Sequence, residues 1–317
     1  MTTRAIRLMQ RQWKKLRRGR TAVIGIPYTW LLIFFLLPFL IVLAMSFRVV
    51  MPDGITLSNL FNLSDGETAN FTLKLSNYWR LFTERYYWET YVYSVIYAAV
   101  TTAICLFIGY PFAYFMARAP KTIQPLLLMA VMVPFWTSFL LRVYAWKGLL
   151  DANSGWVGML IHSLGLDNLL VHMGLISNPG QYLYTSLSLL LGMTYTYLPF
   201  MILPLYGTLS KMDHRLLEAA QDLGATPWQT FWKITVPLSV TGVVAGSMLV
   251  FIPCIGEYVI PKLLGDPSIL TVGQTLYDEF SSNNDWPMAS SLAVVMIMII
   301  IVPMALFNNA MAKEEKR

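Results

Sequence analysis

The amino-acid sequence predicts an all-α integral membrane protein with six membrane-spanning helices. The first observation is composition: of 317 residues, 56% are hydrophobic and 13% are charged, whereas about a quarter of the residues of a soluble domain carry charge. The second is the length of the apolar runs. Each is close to the ~20 residues that a helix needs to cross a hydrocarbon core of ~30 Å.

Six apolar runs define the predicted spans. The first is too long for the apolar core of a signal peptide, so it is expected to remain in the mature protein. Proline removes a backbone hydrogen bond and is expected to interrupt some spans, at Pro134, Pro199, Pro204 and Pro303. The runs lie at about 27–47, 90–117, 125–144, 182–209, 234–255 and 286–307.

The flanking regions complete the predicted organisation. A basic tail (1–26) precedes a membrane domain (27–308), and a short tail follows (309–317). The aromatic-rich loop at about 48–89 is expected to carry an amphipathic segment on the outer membrane face. In the fifth span, Gly242 and Gly246 form a GxxxG pair that permits close helix approach.

Charge predicts the orientation of the chain. Residues 1–20 contain eight basic and no acidic residues. Such a tail could bind nucleic acid, but directly before an apolar span it is more simply an anchor on anionic lipid, and we expect no nucleic-acid partner. If both termini, the 118–121 turn and the polar segment (210–235) share one side, that side holds 16 Lys and Arg against seven on the other. The positive-inside rule then places both termini in the cytoplasm.

The polar segment predicts two short helices joined by a sharp turn. Asp213 can cap a helix that begins at about His214, and Gly224 stands where a left-handed residue ends such a helix. Thr226, followed by proline and then Gln229, has the pattern of a capping box at the start of a second helix.

The same residues resemble the signature of ABC importer permeases. The matching positions are Glu218, Ala219, Ala220, Gly224, Ile234 and Pro237, with Val236 where the family usually has leucine. The resemblance implies a six-helix type I permease fold, in which these residues form a cytoplasmic coupling helix that docks on a separate ATPase subunit.

Further residues resemble the spermidine/putrescine subfamily of these permeases. They are Gly256–Pro261, Leu264 with Gly265, and Asp285–Pro287. In its length and basic N-terminus, the chain is most similar to the first permease subunit of putrescine importers. The resemblance implies a bacterial inner-membrane complex with a second homologous permease, two ATPase subunits that bind ATP and Mg²⁺, and a periplasmic polyamine-binding protein.

Motifs of enzymes and motors are missing from the sequence. There is no GxxxxGK[ST] phosphate loop, HExxH, CxxC or GxSxG motif. Cys105 and Cys254 are far apart within apolar runs, so we expect neither a disulfide nor a metal site. The chain is therefore predicted to be a transport subunit without catalytic residues, cofactor or metal, driven by ATP hydrolysis on a partner.

Acidic and aromatic residues near the outer ends of the spans are the candidate cation pathway. Carboxylates attract cations, and aromatic rings bind ammonium groups through cation–π contacts. Alternatively, the loop acids are merely solvated and the rings form an interfacial belt; for the loop acids and Tyr195 and Tyr197 we favour this second reading. Glu257 has equal claims to either role. The candidates are Glu257, Tyr258, Trp136, Tyr195, Tyr197, Asp278 and Glu279.

Three further interpretations stay open. The substrate could be spermidine or another small cation instead of putrescine. A stand-alone secondary transporter would need mid-membrane ionisable residues and usually a repeat, neither of which the sequence shows. Arg142 could pair with an acid or snorkel to the headgroups, and we favour snorkelling.

Overall fold

The computed structural model describes residues 23–51, 57–58, 61–63, 69–71, 73–151 and 155–314. The basic residues predicted to anchor the N-terminus, at positions 4–20, lie outside this set.

Four described helices are long and apolar enough to cross a membrane, and two bent helix pairs also qualify if each counts as one span. The structure thus contains four to six spans, and the number six stays a prediction. The long helices are α1 (Val23–Ser46), α3 (Arg85–Arg118), α8 (Ser186–Leu209) and α14 (Trp286–Glu314). The bent pairs are α4 (Gln124–Trp136) with α5 (Phe139–Leu149), at 87°, and α10 (Pro227–Leu238) with α11 (Val240–Ile255), at 63°.

Short elements connect these helices. The only described strands, β1 (Phe61–Leu63) and β2 (Ala69–Phe71), form an antiparallel hairpin, so the fold is all-α apart from this hairpin. The short helices are α2 (Ser76–Thr83), α6 (Trp156–Ser163), α7 (Asp167–His172), α9 (His214–Asp222), α12 (Val259–Leu264) and α13 (Val272–Tyr277).

Several predicted boundaries were wrong. The second span begins at Arg85, so the aromatic residues 86–88 belong to it and not to the loop. The predicted amphipathic segment of that loop is α2, which exposes Trp79 and Phe82 and buries Leu81. Prolines interrupt fewer helices than expected, because α8 and α14 continue through theirs.

The chain forms two compact units. One comprises the described residues up to Tyr78 together with Asp285–Val294. In this unit the end of α1 is fastened by hydrogen bonds: Ser291 Oγ donates to the Ser46 carbonyl (3.0 Å), and Asn77 Nδ2 donates to the carbonyls of Ser46 and Arg48. The body of α1 remains exposed and apolar.

The second unit comprises Trp79–Asn284 with the residues after Val294, and its core is formed by α3, α8 and α11. Glycines bring α11 directly against α8, as the GxxxG pair predicted. A Cβ on Gly242 would lie 2.7 Å from Thr208 Oγ1, and one on Gly246 would lie 3.0 Å from the Met201 carbonyl oxygen. Larger side chains there would separate the two helices.

Helices α6 and α7 pack on the end of α5 through a small apolar cluster that includes Leu150, Ile176 and Tyr182. Within it, Asp167 accepts hydrogen bonds from Tyr182 Oη (2.5 Å) and pairs with His162 Nδ1 (2.6 Å). The Tyr182 hydroxyl and then His162 lower the pKa of Asp167, while burial and then the Asp167 carboxylate raise the pKa of Tyr182 to about 12. His162 is exposed, but it is helical and paired with Asp167.

Candidate coupling and translocation sites

The polar segment folds as its sequence predicts. Asp213 caps α9 by accepting a hydrogen bond from the Arg215 amide, and Thr226 and Gln229 form a reciprocal capping box at the start of α10. Between the helices, Gly224 has a φ of +84°, a conformation that side chains with a Cβ rarely adopt. The turn angle between α9 and α10 therefore depends on this glycine.

Contacts with α3 hold the polar segment against the membrane helices. Leu217 is buried next to Tyr114 and Ala117. The Phe231 ring packs edge-on against Tyr110 and Tyr114, with ring centroids 5.7 and 5.5 Å apart. A displacement of α9 or α10 would therefore be transmitted to the end of α3.

Other side chains of the polar segment expose apolar surface: Leu216, Leu223, Trp228 and Trp232 are exposed, and Leu223 is 90% exposed. The predicted signature residues Glu218 and Ala219 are also exposed, and Ala220 is partly buried. Apolar surface rimmed by polar groups is typical of a protein-binding site.

The last two signature residues lie elsewhere than predicted. Ile234 and Pro237 were expected to open the fifth span, but both lie in α10, before the 63° bend at Ser239. Tyr110 Oη and Ser239 Oγ are 2.8 Å apart at this bend, where residues 231–235 form a π-helical turn. The second helix of this bent pair, α11, begins at Val240.

A second break, which we call the Gly256 break (residues 256–258), separates α11 from α12. Its central residue, Glu257, is partly buried and accepts three hydrogen bonds. Oε1 accepts from the amides of Val259 (3.0 Å) and Ile260 (3.4 Å), and Oε2 accepts from Tyr197 Oη (2.5 Å). All three donors are neutral, so no cation of the described chain neutralises this carboxylate through those contacts.

Packing against α8 shows where the Gly256 break lies along that helix. Tyr197 is about 18 Å from the Thr185 end of α8, at about 1.5 Å per residue, which is half the length of this 24-residue helix. From there α12 continues along α8 towards its Thr185 end, where Ser188 Oγ donates to the Leu264 carbonyl (2.5 Å). Glu257, expected at the outer end of a span, therefore lies beside the middle of α8, at the break between α11 and α12.

The other predicted acids have internal partners. Glu279 is 6% exposed and accepts hydrogen bonds from Tyr87 Oη (2.8 Å) and Asn283 Nδ2 (3.0 Å). Asp278 lies 3.8 Å from Lys262 Nζ. Glu279 is therefore not a solvated loop residue, whereas Asp278 is partly exposed, so for Asp278 the solvated interpretation stays a prediction.

The predicted aromatic residues lie in different parts of the structure. Tyr197 is 7% exposed and bonded to Glu257, so it does not belong to an interfacial belt. Tyr258 stacks on Tyr277, with centroids 4.3 Å apart. Trp136, 74% exposed, lies at the 87° bend, and Tyr195 packs on Trp146. Hydrogen bonds and ring contacts of the described residues connect Glu257 to Tyr197 and to neither Trp136 nor Tyr195.

Arg142 is partly buried, and the snorkelling predicted for it stays a prediction. Its Nε and Nη1 atoms are buried without a hydrogen-bond partner among the described residues, and its guanidinium carbon lies 5.3 Å from the Phe135 ring centroid. No group of three His, Cys, Asp or Glu side chains that could hold a metal ion is found in the described part of the chain.

Gly192 permits the close contact between α8 and α12. A Cβ there would lie 2.6 Å from Leu264 Cδ1 and 3.0 Å from Ile260 Cγ2, and both side chains are fully buried. We expect Gly192→Ala to destabilise the protein by roughly 1–3 kcal/mol, the usual cost of overpacking. The matched control is Gly207→Ala in the same helix, where nothing lies within 4 Å. Thermal unfolding in detergent should show a lower midpoint for Gly192→Ala only; equal midpoints would contradict this packing.

Comparison with known proteins identifies the family. The family model described as "binding-protein-dependent transport system inner membrane component" matches residues 16–314. The chain belongs to this family. It is thus a multi-pass membrane permease of the inner-membrane type, as the signature residues suggested.

Relatives of this permease are similar over nearly their whole length. The spermidine/putrescine transport system permease protein PotB of Haemophilus influenzae is 38% identical, with 88% of this chain and 91% of the relative covered. PotB of Escherichia coli is 34% identical, covering 86% and 90%. The inner membrane ABC transporter permease protein YdcU of E. coli is 34% identical, covering 67% and 70%.

Solved structures confirm the permease fold. A bacterial ABC transporter that imports the acidic polysaccharide alginate gives a TM-score of 0.58 at 17% identity, covering 94% of this chain and 99% of that one. The same kind of transporter in complex with an alginate-bound periplasmic protein gives 0.59 at 17% identity, covering 94% and 96%. At this identity the likeness concerns the fold alone.

Proposed function

We propose that this permease is one of two membrane subunits of an ATP-driven importer that carries putrescine, or a related polyamine, into the cytoplasm. The observation that supports a cationic cargo most directly is Glu257, a carboxylate beside the middle of α8 that is bonded only to neutral donors at the break between α11 and α12. An ionisable group within a membrane span is costly and usually marks a transport pathway. Relatives named for spermidine and putrescine transport support the polyamine class.

The proposed assembly has a second homologous permease, two ATPase subunits that bind ATP and Mg²⁺ on the cytoplasmic side, and a periplasmic polyamine-binding protein. The positive-inside bias supports the orientation, with both termini and the polar segment in the cytoplasm. The exposed apolar surface of the polar segment supports docking on the ATPase.

Within this chain, α11 joins the two functional regions. It begins at the bend beside the polar segment and ends at the Gly256 break, and its glycines hold it on α8. We propose alternating access: ATP binding closes the ATPase subunits, moves α9 and α10, and opens the Glu257 region to cargo from the binding protein. Hydrolysis and release then reset the helices.

A stand-alone secondary transporter is the second candidate. It gains support from the structure, because two partly buried ionisable residues, Glu257 and Arg142, lie beside α8. Membership of a binding-protein-dependent family argues against it.

Uptake by the reconstituted complex tests this proposal. Proteoliposomes that contain both permeases and the ATPase should accumulate labelled putrescine only when loaded binding protein is outside and ATP is inside. A panel of spermidine, putrescine and monoamines defines the cargo. Accumulation driven by an ion gradient without ATP would favour the secondary transporter and contradict the importer.

A further inference from the structure

Arg142 lies on a helix that contacts the stretch of α8 carrying Tyr197. Phe135, at the end of α4, contacts Phe200 (5.1 Å between ring centroids), and Trp146 of α5 contacts Tyr195 (5.6 Å). Arg142 lies between Phe135 and Trp146 in the sequence, after the 87° bend. The facing stretch of α8, residues 195–200, is about 15–22 Å from its Thr185 end, at about 1.5 Å per residue, and includes Tyr197, which binds Glu257.

The elements that carry the two charges are neighbours. Helix α5 packs against both α12 and α8, and Glu257 immediately precedes α12 while bonding to α8. Aromatic rings line the interval: Phe135 contacts Phe200, and Phe200 contacts Tyr197 at 6.2 Å. A cation and a carboxylate thus flank the same aromatic stretch of one helix.

The guanidinium of Arg142 is poorly satisfied where it lies. It is held over the rings of Phe135 (5.3 Å) and Phe139 (5.9 Å), while Nε and Nη1 are buried and have no hydrogen-bond partner among the described residues. Arginine keeps its charge in proteins, and buried N–H groups without acceptors are costly. Arg142 can therefore occupy this position while a carboxylate that could accept its hydrogen bonds is bonded to other groups.

We propose that Arg142 and Glu257 form an ion pair when no cargo is bound, and that a cationic cargo displaces Arg142 from the carboxylate. In this structure the two groups are apart: Glu257 accepts a hydrogen bond from Tyr197, and Arg142 lies over the phenylalanine rings. This inference rests on the proposed function, because it takes Glu257 as the cargo carboxylate.

Competition with Arg142 for the Glu257 carboxylate would determine which cations can bind. A guanidinium can bind a carboxylate through two parallel hydrogen bonds and is a strong competitor. A monovalent cation offers one charge in exchange, whereas a diamine offers a second ammonium group that can bind elsewhere in the cavity. Arg142 would thus be a specificity-determining residue that favours diamines over monoamines and inorganic cations.

Uptake kinetics of Arg142→Gln test the competition. Removing the competitor should lower the apparent KM for putrescine by about tenfold, in line with the usual strength of a hydrogen bond to a charged group, and should admit monoamines that the native complex rejects. Arg142→Lys keeps the charge but cannot form bidentate hydrogen bonds to a carboxylate, so its apparent KM should be intermediate. Lys147→Gln is the matched control, since this cation of the same helix lies 5.4 Å from the Tyr184 ring, and its KM should match the native value.

A double-mutant cycle and cross-linking decide whether the two residues act together. Arg142→Gln should have no effect on KM in a Glu257→Gln background. Cysteines at positions 142 and 257, introduced after replacing the buried Cys105 and Cys254, should cross-link with a short bis-thiol reagent without cargo and less with putrescine.

Additive effects of the two substitutions on KM would overturn the pairing. So would the absence of a cross-link when each cysteine alone reacts with a thiol reagent. Neither result would contradict the importer function. If Arg142→Gln does not assemble, the lysine variant and the cross-linking pair still give the answer.

Discussion

A complex that carries Gly224→Val should assemble in the membrane but lose most of the stimulation of its ATPase by cargo-loaded binding protein. The φ of +84° at Gly224 is disfavoured for any L-residue and strongly so for a β-branched one. Valine should therefore rotate α10 relative to α9 and misalign the exposed apolar surface. Coupling between sites is typically worth 1–3 kcal/mol, so we expect a loss of stimulation of roughly 5- to 150-fold.

The matched control is Gly224→Asn, because asparagine tolerates the left-handed conformation. It should retain most of the stimulation. ATPase activity is measured with and without loaded binding protein, and pull-down of the ATPase by the tagged permease is measured alongside. Unaltered stimulation in the valine variant would refute the role assigned to this turn.

The Glu257→Gln complex should fold and hydrolyse ATP but lose most putrescine uptake. Glutamine keeps an oxygen that can accept from the Val259 and Ile260 amides, so the start of α12 should be preserved. It lacks the charge that an ammonium group requires. Hydrogen bonds to charged groups contribute about 1.5–3 kcal/mol, so uptake at low cargo concentration should fall roughly 10- to 100-fold.

Asp266→Asn provides a matched control, because Asp266 is a partly exposed acid that caps its own turn at Ser268. Its uptake should equal that of the native complex. If Glu257→Gln transports with native affinity and rate, Glu257 has only the structural role of holding α12 and Tyr197, and the pathway must be sought elsewhere.

Local features were predictable from the sequence, because the interactions that form them join residues close together in the chain. The caps at Asp213 and Thr226 and the left-handed Gly224 involve residues within three or four positions of each other. Short-range hydrogen bonds and backbone sterics are sufficient to specify them. The resemblance to the permease family was based partly on the same residues, and the family comparison confirms the family.

The positions of the charged residues beside α8 were not predictable, because they depend on contacts between distant parts of the chain. Glu257 lies beside the middle of α8, where Gly192 lets Ile260 and Leu264 pack closely on that helix. Arg142 is partly buried because the chain bends by 87° between α4 and α5, so that α5 lies against α8. One available signal was a charged residue within an apolar run, which is costly unless it has a role.

The glycine contacts between α11 and α8 also determine how the protein could amplify a small input. These two helices are joined closely enough to turn together, and α11 extends about 24 Å, at about 1.5 Å per residue, from the Ser239 bend to Ile255. A rotation of about 5° about that bend, over the length that a rise of about 1.5 Å per residue gives, would therefore move the Glu257 end by roughly 2 Å relative to helices that stay in place. In such a rotation α11 would move as a rigid body about the bend at Ser239, and the displacement would be largest at the Glu257 carboxylate. No helix would have to deform.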